Sequence, residues 1–434
     1  MNIVYIHTHD TGRYIEPYGY NVPTPNLMEL AETGTLFRQA FSAAPTCSPS
    51  RAGLLTGMSP HSNGMLGLAH RGFELDDYNK HLVNFLKDYD FETILCGMQH
   101  VAPEAEMIGY DKILDDQPEA WGVETDKENA ELVADYIKSQ NQEPFFLSYG
   151  MECTHLEFPE IDDEIDKNYV MPPATLPDNE ETRKDMAGFI TSAKIADYCV
   201  GTVLDALSEA GIRDDTLIIY TTDHGLPFPK MKSTLYDDGT GVSLIMNFPN
   251  DLAQGEAVDA LVSQLDIFPT ICDLLEFNQP EWLQGQSLLP LLKNKKEQIR
   301  EEIFTEVTFH AAYEPMRAVR TKRYKYIRFY DNHNQIVAAN IDDCNSKDFL
   351  LEHDYLELEK EKEMLFDLYF DPMEQVNLVD NDRYQEVYQG LKEKLDNWMK
   401  ETDDPLLDGK VEKPAGAKIN KLSCLSAEID DFEE

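Results

Sequence analysis

The sequence predicts an α/β protein: a large, mostly parallel sheet sandwiched by helices, with a smaller C-terminal domain on a short antiparallel sheet. Three observations carry this. Short apolar runs bounded by turn residues alternate with helical patterns through the first three hundred residues, the signature of a parallel sheet covered on both faces. The pattern changes near residue 300 to strand-like runs joined by close turns. The chain of 434 residues, 42% hydrophobic, is long enough for one large unit and a smaller one. The expected division is 1–300, 301–402 and a polar surface tail, 403–434.

The buried-strand candidates are residues 2–7, 91–96, 144–150, 216–222 and 241–247. Thr24-Pro25 opens a helix, with Thr as cap and Pro at the first helical position. Asp178 and Glu181 form a capping-box pattern ahead of a long stripe of Met186, Ile190, Ala193, Val200 and Leu207. Residues 261–277 read as a further helix with Pro269 near its middle. Residues 302–308, 316–321 and 324–330 read as antiparallel strands, and 383–402 as an amphipathic helix. The acid-rich stretch 160–185 is a long loop of the kind that covers a site.

Lys and Arg number 37 against 81 Asp and Glu, a net charge of −44. Such a surface repels nucleic acid and anionic lipid, so neither is expected as a partner. Seven cysteines form no C-x-x-C pair, and the chain shows no basic, apolar leader and no run long enough to span a membrane. The expectation is a soluble, cytoplasmic protein in a reducing compartment, with self-association left open.

In parallel sheets ligands gather at the carboxyl ends of strands. Four expected strand ends each deliver a histidine or aspartate there: His9-Asp10, His100, His155 and Asp223-His224. With so acidic a surface, an anionic substrate would need a local cation.

The segment Cys47-Ser48-Pro49-Ser50-Arg51, running on to Leu55-Thr56-Gly57, resembles the signature of the type I sulfatases of the alkaline-phosphatase-like superfamily. Thr24-Pro25-Asn26-Leu27, Thr221-Thr222-Asp223-His224-Gly225, and Phe366-Asp367-Leu368 with Asp371-Pro372 and Asn377-Leu378 extend the resemblance along nearly the whole chain. The wording is most similar to the sulfamidase branch at Asn63-Gly64-Met65, Pro103-Glu104, Gly225–Pro229 and Pro315-Met316-Arg317.

The resemblance implies a hydrolase of sulfate esters or sulfamates, acting on a small sulfated sugar. Cys47 would be oxidised by a formylglycine-generating maturation enzyme, and the hydrated aldehyde would attack sulfur. His9, Asp10, Cys47, Asp223 and His224 would hold one divalent ion, calcium in the family. Two imidazoles shift the set toward Mn²⁺ or Zn²⁺. His9 departs from the family's second Asp, so ligation and a role orienting Asp10 both stand. Arg51, four residues after Cys47, faces back toward it on a helix and would stabilise the ionised diol. His100 would take a proton from the second hydroxyl, His155 would protonate the leaving atom, and Lys232 would bind sulfate.

The family's Lys two residues before His100 is Met98 here. Arg13, Arg71 and Lys230 are the candidate replacements. Arg317, Arg320 and His310 are candidates for a sugar carboxylate or a second sulfate. Two rival readings remain: a phosphonate monoester or phosphodiester hydrolase, favoured by His224, and a catalytically impaired binding protein, favoured by Met98.

Overall fold

The computed structural model describes residues 1–115, 122–139 and 144–433. Its larger sheet has eight strands: β1 (Asn2–Thr8), β2 (Thr35–Phe41), β3 (Glu92–Gly97), β4 (Lys112–Ile113), β5 (Phe145–Gly150), β6 (Thr216–Thr222), β7 (Leu244–Asn247) and β8 (Glu256–Ser263). They lie in the order β4-β3-β5-β1-β6-β7-β2-β8, and β7 alone runs antiparallel to its neighbours. β3, β5, β1 and β6 are therefore four adjacent parallel strands, which is why their carboxyl ends converge.

Alternation along β1 shows the sandwich directly. Val4 and Ile6 pack under the helices Pro25–Thr33, Val123–Ser139 and Glu180–Glu209. Ile3 and Tyr5 face the other side, under the helices Cys47–Thr56, Leu82–Lys87 and Ile267–Leu275. Both faces are covered, so the strands read as continuous apolar runs.

The smaller sheet is antiparallel: β9 (Glu302–Phe309), β10 (Tyr313–Thr321), β11 (Tyr324–Phe329) and β12 (Glu363–Asp367), in the order β12-β11-β10-β9. The helix Gln385–Glu401 lays Tyr388, Leu391, Leu395 and Met399 against it. Residues 403–433 do not merely lie on the surface. Leu406, Val411, Ile419 and Cys424 are buried, and Arg71 of the larger unit donates to Asn420 Oδ1 and the Ala427 carbonyl.

Three local expectations change. Residues 261–263 end β8, and the helix begins only at Ile267, which puts Pro269 in its first turn, where the missing N–H costs nothing. The long helix is capped by Asn179 with Thr182, one residue later than the Asp178–Glu181 pattern. Thr24 does not cap through its side chain: its hydroxyl accepts from the Glu16 N–H and donates to the Val22 carbonyl. Among the described residues no helix is long and apolar enough to cross a membrane, and all seven cysteines are free.

Candidate active site

β1 ends in His9-Asp10. Asp10 takes a left-handed backbone (φ 56°), uncommon for a residue with a side chain and tolerated best by Asp and Asn. That turn lets the Asp10 N–H donate to Asp223 Oδ1 at 2.8 Å, so the ends of β1 and β6 are locked together. Cys47 arrives from the far side of the sheet, as the first residue of the helix that follows β2. Ser50 on that helix donates to the Asp223 carbonyl at 2.5 Å, while Gln264 Nε2 donates to the Thr222 carbonyl and Thr221 Oγ1. The helix, the end of β6 and the turn after β8 are thereby held in one arrangement.

The result is a buried cluster of His9, Asp10, Cys47, Asp223 and His224, with one donor atom from each within 4.8 Å of the others. His224 donates its Nδ1–H to the Gly225 carbonyl (3.0 Å), which leaves the lone pair on Nε2. That nitrogen lies 3.3 Å from Asp10 Oδ1, 3.6 Å from Asp223 Oδ2 and 3.4 Å from Cys47 Sγ. A lone pair turned onto two carboxylates and a sulfur is a donor set that fits a cation between its members. His9 is held neutral, its pKa pushed down to about 4 by burial against the pull of Asp223 and Asp10. Its Nδ1–H donates to Asp10 Oδ1 at 2.7 Å.

Two cations stand beside the carboxylates. Arg51, 2% exposed, donates to Asp223 Oδ2 at 3.0 Å and to the Thr8 carbonyl, and also touches His7. Burial would lower the Lys232 pKa, but Asp10 and Asp342 hold it well above the usual range. Its ammonium donates to Asp10 Oδ2 (2.9 Å), Asp342 Oδ2 (2.7 Å) and His155 Nε2 (3.2 Å). Burial, opposed by Lys232 and reinforced by Asp10 and Asp223, pushes the Cys47 thiol well above its ordinary pKa; as a bare thiol it is a poor nucleophile.

His155 and His100 form the upper wall. The His155 ring lies 4.6 Å from that of His9, and the His100 ring 5.8 Å. His100 sits at φ 55° and is bonded through Nε2 to His70 Nδ1 (2.9 Å); its Nδ1 is buried without a partner. Burial, with His70, His9 and Arg51 near, holds His100 far below its ordinary pKa.

The remaining cations are engaged elsewhere. Arg13 and Arg320 stack on the Phe41 ring, and Arg320 is paired with Asp237. Arg317 is fully buried between Glu306 and Asp404. Arg317 and Arg320 therefore do not serve as sugar contacts: the folded chain uses both charges internally. Lys230 lines, together with Lys232, a cavity of about 400 Å³ against the smaller sheet, and Arg71 is spent on the C-terminal segment. Of the candidates to replace Met98, Arg13 and Arg71 are thus engaged away from the cluster.

Sequence reasoning missed His7, His70, Gln264 and Asp342. His7 was legible by strand parity, sharing the β1 face of Ile3 and Tyr5. Asp342 carried no signal, because it lies in the C-terminal unit, 110 residues from Lys232.

Buried carboxylates, an imidazole lone pair, a cysteine at a helix start and a lysine gather at the carboxyl ends of parallel strands, in a cluster that could hold a metal ion. Comparison with known proteins gives the class. Residues 1–277 match the family described as Sulfatase, and residues 224–347 match the one described as N-sulphoglucosamine sulphohydrolase, C-terminal. The chain belongs to the sulfatase family and is a sulfuric ester or sulfamate hydrolase by that membership. It is 29% identical to the human N-sulphoglucosamine sulphohydrolase, across 93% of this chain and 89% of that one. It is also 29% identical to an ulvan-active sulfatase of Formosa agariphila, across 97% and 77%. Among solved structures, a 2-O GAG sulfatase superposes with a TM-score of 0.71 (21% identity, 99% and 98% covered). The phosphonate monoester hydrolase of Agrobacterium radiobacter does so with 0.72 (21% identity, 92% and 96% covered).

Proposed function

We propose that the protein removes the sulfate of a small sulfated sugar, as an ester or a sulfamate, using Cys47 after its conversion by a maturation enzyme. The observation that carries this reading is the placement of Cys47 Sγ 3.4 Å from His224 Nε2, beside two buried carboxylates. The names of the relatives, a sulphoglucosamine sulphohydrolase and an ulvan-active sulfatase, supply the sugar.

Formylglycine at position 47 would supply, once hydrated, a nucleophile whose second hydroxyl can later expel sulfate. A divalent ion held by Asp10, Asp223, His224 and residue 47, with His9 fixing Asp10, would supply Lewis acidity toward the sulfate oxygens. One imidazole among oxygen donors is compatible with Ca²⁺, the family's ion, and with Mn²⁺.

The chain's own groups do the rest. Arg51 offsets the Asp223 charge at the floor. Lys232 presents its ammonium to the incoming anion, and its 3.2 Å bond to His155 is the longest of its three and the one most readily exchanged. His100, with Nδ1 unpartnered, would take the proton of the second hydroxyl at that atom as the S–O bond breaks. His155 Nε2, which accepts from the Lys232 ammonium, is placed to pass a proton from that lysine to the leaving atom.

The test is a panel of aryl sulfate, N- and O-sulfated monosaccharides and aryl phosphonate, run on metal-replete protein whose Cys47 peptide has been weighed. The expected result is an aldehyde at position 47, a bound divalent ion, and turnover of a sulfated sugar. A native-host protein with an unconverted thiol overturns it. A second reading, phosphonate monoester hydrolysis, is favoured by His224 in the cluster and would be shown by preferential turnover of the phosphonate.

A further inference from the structure

We infer that Asp342 is a specificity-determining residue: its carboxylate on Lys232 sets the anion site for a singly charged tetrahedral group and against a doubly charged phosphate monoester. The inference rests on the reading that residue 47 and Lys232 receive such an anion.

Lys232 is clamped between two carboxylates of different standing. Asp10 lies on the floor and is wholly buried, whereas the Asp342 side chain is 16% exposed, on the solvent side of the ammonium. Donor atoms of Asp10, His155 and Asp342 all lie within 4.8 Å of one another, around the same ammonium. Asp342 is thus the charge an incoming oxyanion meets beside Lys232. Among the described residues no second lysine or arginine is paired with it. Lys347 is turned to Asp343 and the Ile341 carbonyl, and His310, held neutral by burial, has an unpartnered Nδ1.

The charge count gives the consequence. Asp10, Asp223 and Asp342 stand against Arg51 and Lys232, leaving one uncompensated negative charge. While residue 47 is uncharged, as in a Cys47→Ala protein, a divalent ion converts this to one net positive charge, the complement of a sulfate ester, a sulfamate or a diester, each of which carries one negative charge. Without Asp342 the site would carry two, matching a phosphate monoester dianion. Inside a protein, a unit charge a few ångströms away changes affinity for one added charge by tenfold or more, as an order of magnitude.

The experiment measures binding rather than turnover. Metal-replete Cys47→Ala protein is titrated calorimetrically with phenyl sulfate and with phenyl phosphate at about pH 8, where the latter is a dianion. The same titrations are run after adding Asp342→Asn or Asp342→Glu. Asp342→Asn is expected to raise affinity for the phosphate relative to the sulfate about tenfold or more, and Asp342→Glu to keep the original ratio. An unchanged ratio in a folded Asp342→Asn protein overturns the inference, as does an equal change in Asp342→Glu. A merely structural role would weaken both ligands alike. If Cys47-containing protein turns over no sulfate, the functional reading fails, while the two binding ratios still decide the role of Asp342.

Discussion

Lys232 is where the site's electrostatics concentrate. Among the described residues it is the cation that bridges the buried Asp10 to the more open Asp342, on a protein whose overall field repels anions. With Met98 in place of the family's lysine, among the described residues no second lysine is bonded to the cluster. Lys232→Met keeps most of the stem volume and removes the charge. It should lower kcat/KM for a sulfate ester by about 10²–10³-fold, as loss of a preorganised oxyanion donor does. Steady-state kinetics with an unchanged far-UV spectrum would check it, and a loss under fivefold would show that another cation serves.

At the scale of the element, the helix Cys47–Thr56 works as a positioning rod. Its first residue is the reactive one, Ser50 and Arg51 anchor it to β6, and its end is closed by Gly57. Gly57 has φ 67°, donates its N–H to the Gly53 carbonyl, and accepts from the Gln284 N–H at 2.9 Å. A Cβ there would come within 2.5 Å of Leu283 Cδ2. Left-handed backbone and a crowded side chain together predict that Gly57→Ala destabilises the protein by about 1–2 kcal/mol. The clash is with a movable side-chain tip, so the loss should stay in that range. A urea titration read at the midpoint would measure it, and no shift would mean the cap contributes little.

The whole molecule is joined by a second buried charge network. His61, from the larger unit, bonds Glu306 of β9 at 2.8 Å, and Arg317 of β10 bonds both Glu306 (3.0 Å) and Asp404 (2.6 Å). Arg317→Met would leave two buried carboxylates with one cation fewer, and should cost about 3–5 kcal/mol in a denaturant melt. The network also sets an acid limit. Burial alone would raise the Glu306 pKa, but His61 and Arg317 hold it down at about 2 against its usual 4.5. A depressed folded-state pKa means the stabilisation is fully present above about pH 4.5 and fades as the pH falls toward 2. Thermal midpoints measured across that window should fall steadily in the native protein, and much less in Glu306→Gln. Equal slopes would remove Glu306 from the account.

The chain's own order of residues determined the α/β class, the five main strands of the large sheet, and the identity of most groups in the cluster. Apolar runs and strand-end polar residues are local signals, and the stretch from Cys47 to Gly57 is contiguous. β2 and β8 escaped because Arg38, Gln39, Glu256 and Asp259 interrupt their apolar pattern at sheet positions nearer the edge. The partners of each charge were decided only by tertiary structure. Whether an arginine binds substrate or a neighbour depends on which carboxylate folding brings within 3 Å. Arg317 found Asp404, 87 residues away, Arg320 found Asp237, and Lys232 found Asp342. Coulomb attraction in a low-dielectric interior has no sequence period, so it left no trace to read before the sheets met.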